Sequence, residues 1–99
     1  MIKVKVKKNL ISITGHANYD EYGKDIVCAA VSSVVITTIE GISKFDKNAI
    51  TLNKTNDQMD IIINKFDIIT NNLIDNMLNC LKEIQKQYKK NIQIINREE

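Results

Sequence analysis

The spacing of apolar residues switches between two periods along this chain, and the order of the switches limits the fold more than any other feature. Ile2, Val4 and Val6 alternate with Lys3, Lys5 and Lys7, the period of two of a half-buried strand. Lys8-Asn9 can turn the chain. Ile11 and Ile13 then alternate with Ser12 and Thr14, which predicts a second strand and a hairpin. Residues 17 to 24 are polar and read as a loop. From Asp25 the spacing becomes three and four, through Val27, Ala30, Val31, Val34, Val35, Thr38 and Ile42, the pattern of a helix. The β-branched run from Val34 to Thr38 forms helix poorly by itself, so packing has to hold it. Gly41 is expected to loosen the end of this helix. Ala49 to Asn53 and Gln58 to Ile63 read as a second hairpin around Lys54-Thr55-Asn56-Asp57. A long helix is expected from Asp67 to Lys89, with Ile69, Leu73, Met77, Cys80, Leu81, Ile84 and Tyr88 as its apolar stripe. Asn91 to Asn96 closes the chain as a strand. The order ββαββαβ predicts one α+β domain over residues 1–99, a mixed five-stranded sheet packed with two helices.

Composition narrows the partners. No stretch reaches the roughly 20 apolar residues of a membrane span, and the alternating Lys of the N-terminus leaves no apolar core for a signal peptide. The expected compartment is the cytoplasm, where two cysteines remain thiols. A net charge of +2 argues against nucleic acid as a partner. Lys3, Lys5, Lys7 and Lys8 cluster, but alternating Lys is also how a strand wets its outer face or guards a sheet edge.

The chemistry-bearing residues are few: one histidine, His16, and two cysteines, Cys28 and Cys80. A structural zinc site wants four Cys or His ligands, so no metal and no cofactor is expected. Three glycines make no phosphate-binding loop, and no nucleophile-elbow motif is present. What remains is Cys with His. His16 stands where a strand gives way to a loop, and Cys28 stands in the first turn of a helix. If Asp25 caps that helix, its carboxylate can accept the N–H of Cys28. Asp25, Cys28 and Ser32 then share one face, beside the core stripe. A free cysteine is only a few per cent thiolate near pH 7, and an exposed helix terminus supplies only about 0.3–1 kcal/mol. An imidazolium partner is therefore needed, and His16 is the candidate. Backbone N–H groups at the helix start are candidates for binding an oxyanion.

Spacing alone leaves the plain readings open. A cysteine between Val27 and Ala29 can be a small buried hydrophobe, and a loop histidine can simply be solvated. Asp25 can be a cap and nothing more. Asp20 could orient the imidazole, as could any acid of that loop. Cys80 lies on an apolar stripe and reads as structural. A non-catalytic module that binds a protein or RNA partner through the lysine-edged strand is the alternative function.

The segments Gly15-His16-Ala17 and Gly23-Lys24-Asp25-Ile26-Val27-Cys28-Ala29-Ala30-Val31-Ser32 resemble the signature of the ribosomal-processing cysteine protease family. The resemblance implies a compact α+β homodimer that removes an N-terminal extension from the twenty-seventh large-subunit ribosomal protein. It implies Cys28 as nucleophile and His16 as base. Gly15, Asp25 and Ser32 match further positions of the signature, with roles in loop geometry, capping or orientation, and support of the site. The loop Ala17–Lys24 lies between the two and is expected to act as a mobile substrate gate. Its Tyr19 and Tyr22 either meet apolar substrate side chains or anchor the loop to its own domain.

Overall fold

A computed structural model describes residues 1–21 and 23–96 of the chain. Its elements are β1 (Ile2–Val6), β2 (Leu10–Thr14), α1 (Ile26–Phe45), β3 (Ile50–Lys54), β4 (Gln58–Ile63), α2 (Ile68–Gln87) and β5 (Ile92–Asn96). The strands form one sheet in the order β3-β4-β2-β1-β5. All neighbours are antiparallel except β1 and β5, which are parallel. The sheet is therefore mixed and the element order is ββαββαβ, as the change of period predicts.

The register explains the two faces. Val4 pairs with Ile13 and with Ile94, and Ile13 pairs in turn with Met59, so these residues form one apolar row across the sheet. Lys5 pairs with Ser12, and Ser12 with Asp60, on the opposite face. There the Ser12 hydroxyl donates to Asp60 at 2.7 Å. The N-terminal lysines thus wet the outer face of an inner strand. They do not guard an edge, because β5 covers that side of β1.

Both helices pack on the apolar side. Val27, Val31, Val35, Ile39 and Ile42 of α1 are buried, each such side chain contributing about 1.5–3 kcal/mol. Ile39 belongs to this stripe, whereas Thr38 is only half-buried beside it. On length and composition α1 is also apolar enough to cross a membrane, contrary to the sequence expectation. Its stripe is instead used inside the protein, against the sheet and α2. In α2 the buried line is Thr70, Ile74, Met77 and Leu81, which keeps Met77 and Leu81 of the expected stripe and lies one position on from its Ile69 and Leu73. Ile69 faces out and Thr70 faces in. The Thr70 hydroxyl tolerates burial because it donates to the Asp67 carboxylate at 3.1 Å.

Gly41 does not end α1. The helix runs through it to Phe45 and stops at Asp46, which is extended. The Asp46 carboxylate accepts the N–H of Asn48 at 2.9 Å, a local turn that competes with further helix. A Cβ at Gly41 would meet nothing within 4 Å. Gly41→Ala should therefore stabilise the protein by about 0.5–1 kcal/mol, read as a higher denaturant midpoint at unchanged slope. A lower midpoint would contradict a continuous helix through residue 41.

Candidate active site

The site lies at the end of the sheet where β2 leaves, β4 begins and α1 starts. Gly15 makes the exit from β2 possible. Its φ is +84°, and a Cβ there would lie 2.5 Å from the carbonyl oxygen of Met1. Any side chain would meet backbone in a conformation that L-residues avoid. Its N–H donates to the carbonyl of Asp57 at 3.1 Å, which ties the strand exit to the β3–β4 turn.

Ala17 is held on three sides. Its methyl is buried in the core. Its carbonyl accepts from the Asn91 side chain at 3.0 Å. Its N–H points at the Cys28 sulfur at 3.3 Å. That last contact brings the backbone beside His16 against the thiol. Sulfur is a weak acceptor as a thiol and a stronger one when charged.

Cys28 sits in the first turn of α1 because Asp25 caps the helix. One Asp25 oxygen accepts the N–H groups of Val27 and Cys28, both at 3.0 Å. The other accepts from Tyr19 at 2.9 Å and Asp20 at 3.3 Å. Asp25 therefore fixes the helix start and the preceding loop together. Desolvation pushes its carboxyl up, but the N–H groups of Cys28, Tyr19, Asp20 and Val27 outweigh that and hold it below the ordinary carboxylate value. The donors of Val27 and Cys28 are spent on this cap, and the Ala29 N–H bonds the Asp25 carbonyl. They are not waiting for an oxyanion, as the sequence suggested.

Asp25, Cys28, Ala29 and Ser32 line a cleft of about 750 Å³, with Gly15, His16, Asn18 and Asp20 on one wall and residues 54–59 on the other. Ile13, Val31 and Met59 contribute its apolar floor. Cys28 packs on the core yet opens onto this cleft, so it is neither sealed nor fully exposed. Ser32 is exposed one turn further along the same face. Cys80 is half-buried on α2 and does not line the cleft. A smaller depression of about 320 Å³ at the far end of the sheet, around Val6, Phe66 and Leu78, holds neither cysteine and not the histidine.

His16 bonds an acid that sequence reasoning did not single out. Its Nε2 lies 3.0 Å from the Asp57 carboxylate. Asp20, the candidate for that role, instead accepts the N–H of Glu21 at 2.7 Å. Tyr19 does not line the cleft; its ring stands edge-on to Tyr88 at the end of α2, with centroids 5.3 Å apart. That contact and the Asp25 bonds anchor the loop from two sides. Tyr22 lies outside the described residues. Asp57, read as one polar residue of a turn, and Asn91, read as the first residue of the last strand, gave no further signal in sequence.

The family described as cysteine protease Prp matches residues 1–93. A ribosomal processing cysteine protease Prp of Staphylococcus aureus is 30% identical over 89 residues, covering 85% of this chain and 82% of that protein. The protein of the same name from Mycoplasma genitalium is 43% identical over 56 residues, a stretch that spans about half of either chain, 54% of each. Among solved structures, an essential ribosomal processing protease Prp from S. aureus, in complex with a covalently linked product peptide, superimposes with a TM-score of 0.91. It is 24% identical, and the match covers 98% of this chain and all of that one, a likeness of fold. A Streptococcus mutans protein matches with a TM-score of 0.79 at 20% identity, over 99% of this chain and 93% of that one. With a family match over nearly its whole length, and a relative at this identity and coverage, the chain belongs to the cysteine protease Prp family.

Proposed function

We propose that this cysteine protease works through a Cys28–His16 dyad and removes the N-terminal extension of a large-subunit ribosomal protein, the twenty-seventh. One observation carries the reading. The amide of Ala17, next in chain to His16, meets the Cys28 sulfur at 3.3 Å inside the cleft that His16 also lines. The relatives' names supply the substrate class, since both are called ribosomal processing proteases.

In this mechanism the Cys28 thiol gives its proton to the His16 imidazole. The thiolate attacks the scissile carbonyl, and the imidazolium returns the proton to the leaving amine. A thioester between Cys28 and the departing extension remains, and water activated by the now neutral imidazole hydrolyses it. The cleft suits an extended peptide, with the apolar floor of Ile13, Val31 and Met59 for a large side chain. Asp25 and Gly15 act by holding the backbone that brings residues 16 and 28 together, and Ser32 supports the same face.

Cys28→Ala and His16→Ala should each abolish cleavage of a synthetic peptide that spans the end of the extension, with far-ultraviolet dichroism unchanged. Cys80→Ala should retain wild-type turnover. Full turnover by Cys28→Ala would end the covalent reading and leave a binding module.

Asp25 also makes the site pH-sensitive. Its folded carboxyl sits below the ordinary value of 3.8, so its stabilisation is present above that value and is lost as pH falls through the folded one. Asp25→Ala should cost about 1 kcal/mol at pH 7, as loss of a helix cap does. The gap between variant and wild type should close in the acid range below pH ~4, where wild type has also lost the charge. A gap that stays constant through that range would show that the carboxylate charge is not what holds the cap.

The same reading makes the chain a cytoplasmic homodimer. Phe45, Phe66, Ile68 and Ile69 are exposed at the end of α1 opposite Cys28, where the Asp46–Lys65 pair at 2.6 Å joins the two segments. Exposed large apolar residues at one end of the chain support an association surface there. Light scattering should return twice the chain mass, and Phe45→Glu should return one chain mass with activity per folded chain measured alongside.

A further inference from the structure

The β3–β4 turn reaches the cleft with one acid, and the dyad reading does not use it. We propose that Asp57 is a positioning residue that holds His16 in a single tautomer, with Nε2–H on the carboxylate and Nδ1 turned to Cys28. This inference rests on the Cys–His reading and adds the part that orients the base.

The tautomer follows from the acceptor. A carboxylate can only accept, so at 3.0 Å the His16 Nε2 must carry the hydrogen. In neutral imidazole the lone pair is then left on Nδ1. Nδ1 is also the ring nitrogen nearer the backbone. The Cys28 sulfur lies against the next amide of that backbone, at 3.3 Å from the Ala17 nitrogen. With Nε2 committed to Asp57, Nδ1 is the ring nitrogen left free in the cleft that Cys28 also lines.

The pair is more than a chance surface contact. His16 and Asp57 are 53% and 79% exposed, so as an ion pair they add little to stability. Yet the backbone of Asp57 is tied to the same strand exit, through its carbonyl and the Gly15 N–H at 3.1 Å. Gly15 is itself locked against Met1. The two segments that carry the carboxylate and the imidazole are thus tied by backbone, and orientation is the role left to the pair. The other charged groups lining the cleft are Asp20, Asp25 and Lys54. Asp25 is occupied by four N–H groups and Asp20 by Glu21, so neither competes for the ring.

The proton path balances without Asp57 ionising or gaining a proton. The Cys28 proton moves to Nδ1, the imidazolium keeps its Nε2–H on Asp57, and Nδ1 later protonates the leaving amine. A peptide lying over the β3–β4 turn would cover the pair and strengthen it by excluding water.

His16 is the single histidine, so its ring nitrogens can be read directly by nitrogen-15 NMR on the intact protein, without substrate. Wild type should show the Nε2–H tautomer, and Asp57→Ala a mixture of both. Asp57→Asn keeps an acceptor oxygen and should restore the Nε2–H form. On the peptide substrate, Asp57→Ala should lower kcat by about 100-fold, the lower end of what general acid–base catalysis contributes. KM should hold, and Asp57→Asn should recover most of kcat. An unchanged tautomer and unchanged kcat in Asp57→Ala would overturn the role of Asp57. Cleavage by His16→Ala would instead overturn the dyad itself, whatever Asp57 does.

Discussion

The contact on which the site depends is the Ala17 amide against the Cys28 sulfur at 3.3 Å. It joins two segments eleven positions apart, the strand exit that carries the histidine and the helix start that carries the thiol. Neither segment would hold that separation alone. The strand exit is fixed by a left-handed glycine packed against the Met1 carbonyl, and the helix start by an aspartate cap. Ala17 is clamped between them by a buried methyl and by Asn91 from the start of β5. Precision of this kind matters, because a misplacement of about 1 Å between reacting groups can cost a factor of 100.

Asp25 shows how few residues are needed. Four N–H groups converge on one carboxylate, two from the helix and two from the loop. The same acid that starts the helix therefore also draws the loop over the site. The loop's other anchor is the Tyr19–Tyr88 contact, which fastens it to the end of α2. These contacts seat the first part of the loop beside the cleft, where Asn18 and Asp20 line it.

What could be read from sequence follows from the range of each interaction. Period-two and period-3.6 spacings are local, and they placed all seven elements. The Asp25 cap was also legible, because a cap and the helix N–H groups that donate to it lie within three positions. Errors arose where tertiary packing chose between adjacent faces. Ile69 and Thr70 are both compatible with a helical stripe, and tertiary packing buries the latter. Gly41 carries the statistics of a helix end, but it lies mid-helix with open space around it. Asp57 was invisible because its partner lies 41 positions earlier in the chain, and nothing in a polar turn marks one acid among several.

The position of Cys28 on α1 resolves the tension between core and chemistry. Val27 and Val31 are buried, and Cys28 and Ser32 follow each of them by one residue, a turn of about 100° round the helix. That rotation is enough to move a side chain from the core to the cleft while its β-carbon still packs on apolar neighbours. The apolar flank keeps bulk water from one side of the sulfur, and the cleft leaves the other side open to a peptide. Cys80 is half-buried as well, but it lies on α2 outside the cleft, with no histidine in reach to take its proton. Two thiols of similar burial thus differ in setting, because only one of them shares a cleft with His16.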